Sequence, residues 1–185
     1  MKHVAWLATI VLFLPLTAHA GTIVGKVNFK GTKPAPTMIK MSADPKCVSM
    51  HSGKDVAADQ IVVNPNNTLQ WVFVYVKKGL EGKTFPVPAQ KVTIDQKGCQ
   101  YHPHVFGMMA KQQLEIINGD PTLHNIHALP KNSTQFNIAQ PIKDMKTTKT
   151  FDKPEVMVKI KCEVHNWMAD YVAQANNGGI ERVLL

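Results

Sequence analysis

The chain is 185 residues long, carries a formal net charge of +8, and is 44% hydrophobic against 18% charged. Behind a targeting segment, that length bounds it to one ordinary domain. The positive balance would raise nucleic acid as a partner inside a cell, but no basic run is interleaved with stacking aromatics, so that class is set aside. An acidic protein or an anionic membrane surface suits the charge better, because net charge governs encounter rather than fold. A solvated basic surface without a partner would look the same.

Residues 1–20 read as a secretory signal peptide: Lys2 supplies a positive start, Val4 to Leu16 an apolar run, and Ala18-His19-Ala20 a cleavage site before Gly21. The apolar run of about thirteen residues falls short of the roughly 20 that a spanning helix needs. No later run is long enough, so after cleavage the protein is expected to be exported, in a periplasm or beyond, and not integral to a membrane. Export bears on Cys47, Cys99 and Cys162, since outside the cytoplasm thiols pair and an odd count leaves one over. Cys162 has metal-ligand neighbours, which makes a Cys47–Cys99 disulfide with Cys162 held as a thiolate the economical assignment; two free thiols are the alternative.

From Gly21 the pattern is mostly of period two, the mark of half-buried strands. Ile23 to Phe29 alternates and ends at Gly31 and Pro34, and Met38 to Met41 gives a short second strand. Asp44-Pro45-Lys46-Cys47 opens a polar stretch to Asp59, a loop or short helix that a disulfide could pin. Ile61 to Val63 and Leu69 to Val76 flank the turn Asn64-Pro65-Asn66-Asn67 and read as a hairpin whose second arm, Trp71 to Val76, is central and buried. Phe85 to Pro88 is a loop. Val92–Ile94, Val105–Met109, Leu114–Asn118, Phe136–Ile138, Thr147–Phe151, Val156–Lys161 and Tyr171–Ala175 follow as short strands. About ten short strands with turns between them indicate an all-β sandwich or barrel. With no repeat and no linker composition, residues 21–175 read as one domain with an elaborated N-terminal half, and 176–185 as a flexible tail.

The chemistry concentrates in Cys162-Glu163-Val164-His165-Asn166-Trp167-Met168, a C-x2-H-x2-M run. Thiolate, imidazole and thioether together suit copper cycling between Cu(I) and Cu(II), and two histidines, a cysteine and a weak axial methionine make the blue-copper set. The second imidazole must come from elsewhere. His124-Asn125-Ile126-His127 follows a strand end and offers two candidates, which in a strand face opposite sides and so are not expected to share one metal.

The run Pro121 to His127 followed by Cys162 to Met168 resembles the cupredoxin family, in the short ligand-loop spacing of amicyanin. Asp95 to Cys99, Phe136-Asn137, Gln140-Pro141 and Lys149 to Phe151 resemble exported bacterial plastocyanin-like proteins, as do Gly21 to Gly31 and Ala43 to Cys47. The resemblance implies a Greek-key β-sandwich holding one type 1 copper ion. It assigns His124, Cys162 and His165 as equatorial ligands, Met168 as the axial one, and Asn125 as the residue whose hydrogen bonds tie the two ligand loops. Trp167, Phe136 and Met145 are candidates for the apolar shell. His165 is expected to offer an exposed edge where a partner docks. The chain after Ala175 departs from the exported group, whose members usually run on.

One-electron transfer with a redox protein, acidic given the charge and of the cytochrome or dehydrogenase kind, is the leading functional expectation. Binding or delivery of copper without redox turnover is the alternative. Catalysis is not expected, because oxidase and nitrite reductase chemistry needs further His clusters and more than one such domain.

Overall fold

The computed structural model of the protein describes residues 24–175; the expected signal segment and the tail from 176 lie outside them. Its regular elements are β1 (Met38–Ile39), α1 (Pro45–Met50), β2 (Val56–Ala57), β3 (Val92–Lys97), β4 (Gln100–His102) and β5 (Val105–Met109). After these come β6 (Leu114–Asn118), β7 (His124–Leu129), β8 (Phe136–Gln140), β9 (Lys146–Lys149), β10 (Glu155–Lys161) and β11 (Ala169–Ala175). One sheet has the order β5-β11-β10-β7-β8 and the other β4-β3-β6-β9, while β1 and β2 pair separately. The β3/β6 and β5/β11 pairs are parallel and the rest antiparallel.

The period-two pattern explains which residues meet between the sheets. In β6 the side chains of Leu114, Ile116 and Asn118 are buried while Glu115 and Ile117 are half out. In β10 Val158 and Ile160 are buried and Lys159 is exposed. Ile94, Ile126 and Phe151 are fully enclosed in the same core, each contributing about 1.5–3 kcal/mol by leaving water. A bulge between Glu155 and Val158, with Met157 at φ 61°, breaks the alternation and turns Val156 and Met157 outward.

The N-terminal half departs from expectation. The polar stretch does form a short helix, α1, capped by Asp44 with Pro45 in its first turn. The expected first strand reduces to a single bridge from Asn28 to Thr68, and the expected hairpin to one from Val63 to Leu69. The arm that reads as a buried central strand is no strand: Val74, Tyr75 and Val76 are 43–45% exposed. Trp71, at φ 62°, turns the chain out of extended geometry before those residues can pair. β-propensity there had only half-buried packing to express, and the inner positions of both sheets are filled by β3, β6, β7, β10 and β11.

Candidate metal centre

His124 opens β7, and the turn before it is held by buried polar groups. Asn118 donates its Nδ2 to the carbonyls of Thr122 (2.9 Å) and Gln140 (2.8 Å), and its Oδ1 accepts from Asp120 N at 2.9 Å. Gln140, fully buried, donates to the Ile116 and Met145 carbonyls and to Thr147 Oγ1, and accepts from Gln96 Nε2. Both sheets are thereby stitched beneath the turn that presents His124.

The second segment closes on itself between β10 and β11. Cys162 N donates to the Met168 carbonyl (3.1 Å), and Met168 N to the His165 carbonyl (2.9 Å). His165 N points at Cys162 Sγ, 3.4 Å away. Cys162, His165 and Met168 are 2%, 1% and 2% exposed and His124 is wholly enclosed.

Three donor atoms converge there. His124 Nδ1 lies 3.1 Å from His165 Nδ1, and Cys162 Sγ lies 3.7 Å from His165 Nδ1; each ligand atom of the three is within 4.8 Å of the others. Burial pushes the Cys162 thiol up, but hydrogen bonds from both imidazoles and from the backbone N–H groups of His165 and Val164 outweigh it and bring the pKa down to about 6. The outer nitrogens of both rings face carboxylates: His124 Nε2 meets Asp120 Oδ2 and His165 Nε2 meets Asp44 Oδ2, each at 2.9 Å. Such partners would hold the ring proton on Nε2 once a metal takes Nδ1. Without a metal, protons on the imidazoles can bridge to the sulfur; a cation would take the place of those protons. Bonds of about 2.0–2.1 Å to nitrogen and 2.3 Å to sulfur, at roughly 105–120°, would set such donors about 3.2–3.8 Å apart, close to the separations seen. The donor set fits a small soft cation.

The carboxylates are themselves fixed. Asp120 accepts from the backbone N–H groups of Gly98 and Cys99, both at 2.8 Å. Burial raises its pKa, but the His124 bond and those two N–H groups more than offset it, so Asp120 stays ionised below the usual range. Cys99 is bonded to Cys47 in a disulfide, which fastens α1 to the β3–β4 turn. Trp167 packs on His165, ring centroids 5.0 Å apart, and donates its Nε1 to the Cys99 carbonyl at 3.0 Å.

Of the other residues singled out, Asn125 accepts from Glu163 N at 3.1 Å through Oδ1 and donates to the Ile138 carbonyl, so it spans the two segments that carry the donors. His127 points away from the centre and its Nδ1 meets Glu163 Oε1 at 2.5 Å. Phe136 packs on Phe151. Met168 is placed by the loop's own hydrogen bonds rather than by a side-chain partner. One expectation is corrected. His165 has no exposed edge, because Asp44 and the disulfide cover it, with Cys47 Sγ 3.5 Å from Nε2. Asp44 and Asp120 were not singled out in the sequence. Asp120 sits four residues before His124, a spacing that could have drawn attention to it; Asp44 lies 121 residues before His165, and nothing local marks it.

The Cys-His-Met loop thus lies between the last two strands of a two-sheet β-sandwich, where the resemblance to cupredoxins leads one to expect it. Amicyanin from Paracoccus versutus is 21% identical over 48% of this chain and 85% of its own, with a TM-score of 0.42. A purple cupredoxin from Nitrosopumilus maritimus is 19% identical over 45% of this chain and 99% of its own, with a TM-score of 0.39. A copper-containing nitrite reductase from Thermus scotoductus is 18% identical over 47% of this chain, which spans 23% of that protein's length, with a TM-score of 0.44. At these scores the likenesses carry nothing about the site, whose reading stands on its own atoms. No curated protein sequence matches. The family described as Domain of unknown function (DUF3400) matches residues 165–185.

Proposed function

We propose that the protein is an exported mononuclear type 1 copper protein that passes single electrons between redox partners, with His124, Cys162 and His165 as strong ligands and Met168 as the weak axial one. The observation that carries this reading is the buried convergence of Cys162 Sγ with two imidazoles, His165 Nδ1 lying 3.7 Å from the sulfur and 3.1 Å from His124 Nδ1. Copper, when bound, supplies a one-electron couple that the soft thiolate and the weak thioether suit in both oxidation states. The chain's part is to hold its ligands still. The Asn118–Gln140 network fixes the His124 turn, Asn125 ties that turn to the Cys162 loop, and the enclosed core leaves little room to rearrange. A site that does not rearrange between oxidation states is suited to carrying electrons rather than to catalysis, and we read the protein as a carrier and not an enzyme. Its positive charge suits an acidic redox partner, a cytochrome or dehydrogenase. Among the described residues no helix is long and apolar enough to cross a membrane; export rests on the signal-like residues 1–20.

One observation favours the alternative, a module that holds or delivers copper without turnover: the ligand edge through which a docked partner would exchange electrons is covered. Loading purified protein with Cu(II) tests the main reading. It should give an intense visible thiolate-to-copper band and a reversible one-electron wave. A band without a reversible wave supports copper handling, and the absence of any band sinks both.

A further inference from the structure

The N-terminal half brings to the centre a carboxylate that the ligand motifs do not contain. Asp44 is the N-cap of α1, and its Oδ1 accepts from Lys46 N at 2.8 Å. That bond leaves Oδ2 turned toward His165 Nε2 at 2.9 Å, with Thr122 Oγ1 at 3.3 Å on the same oxygen. The helix is seated from both sides. Lys46 Nζ donates to the Pro121 carbonyl beside the His124 turn (3.2 Å), and Cys47 is bonded to Cys99. His124 finds its carboxylate four residues away, whereas His165 receives one from across the chain.

We infer that Asp44 is a positioning residue for His165: its carboxylate fixes the ring with Nδ1 aimed at the metal, shields the outer edge, and favours Cu(II) over Cu(I). The inference rests on reading the centre as a copper site. A carboxylate that accepts the Nε2 proton locks the tautomer and makes Nδ1 a stronger donor, an effect worth 10–100-fold in metal affinity in comparable sites. Its negative charge also attracts a doubly charged ion more than a singly charged one. α1 and its disulfide then act as the mount for this carboxylate, which gives the elaborated N-terminal half a role at the centre.

Two substitutions separate this role from helix capping. Asp44→Ser keeps a good N-cap but is too short to reach His165, whereas Asp44→Asn keeps both the cap and a neutral acceptor. Asp44→Ser should lower Cu(II) affinity by about 10–100-fold and Cu(I) affinity less; each tenfold difference between the two raises the reduction potential by about 59 mV. Asp44→Asn should fall between Ser and wild type. In the metal-free protein, nitrogen-15 NMR should show the His165 Nε2–H exchanging with solvent faster in Asp44→Ser. A Ser variant that matches wild type in Cu(II) affinity, potential and His165 exchange overturns the inference and leaves the copper reading standing. A wild-type protein that takes up no copper overturns both.

Discussion

At Cys162 two opposed effects meet, and their balance decides what the residue can do. Burial alone would keep the thiol protonated and inert, as in most cores. The convergent N–H groups and imidazoles win and bring its pKa down to about 6, which favours the thiolate that a soft metal binds. Cys162→Ser removes the soft donor and should abolish the visible copper band, checked by absorption spectroscopy on the loaded protein. The two histidines of the His124–His127 run make a sharper comparison, since both were candidates on spacing. His124→Ala should cost the band and at least 100-fold in Cu(II) affinity, while His127→Ala, which loses only a contact to the exposed Glu163, should leave both within about twofold. Equal losses would mean that the sheet presents the wrong face to the metal.

At the scale of elements, the sandwich was legible where strands are local and short, and illegible where position depends on distant partners. β5, β6, β8 and β10 show themselves as short apolar or alternating runs, and the Cys162 loop as a compact motif. The segment from Trp71 to Val76 has stronger strand chemistry than any of them, yet it is left outside because one left-handed residue and two filled sheets deny it a partner. Nor could sequence show that α1 would lie over His165, since that is fixed by a disulfide and by hydrogen bonds reaching across the chain. Two predictions belong here. Replacing both Cys47 and Cys99 by Ala opens a closure of 52 residues and should cost about 4 kcal/mol in urea unfolding; Cys162 should still give the copper band. Gln140→Leu leaves the buried Gln96 amide with only the Ile117 carbonyl to donate to, and takes the donor from the Ile116 and Met145 carbonyls. It should cost about 1–3 kcal/mol by the same measurement, more than a surface glutamine would.

At the scale of the whole molecule, the formal charge of +8 is the property that acts beyond the centre. Opposite charges raise encounter rates and added salt screens them, with a Debye length of about 10 Å at 0.1 M. The covered His165 edge sharpens the consequence: small reagents cannot touch the ligand directly, so their rate depends on how often they reach the surface near it. Reduced protein mixed with hexacyanoferrate(III), a trianion, should therefore oxidise faster at low salt and slow several-fold between about 10 and 200 mM ionic strength. A tricationic cobalt(III) complex should show the opposite slope, gaining rate as salt screens the repulsion. Stopped-flow absorbance at the copper band reads both. Parallel slopes for the two reagents would show that the charge is spread too evenly to steer anything. In that case an acidic partner would lose its main support, and a partner that meets the exposed Leu123 and Val164 beside the two histidines would be the better candidate.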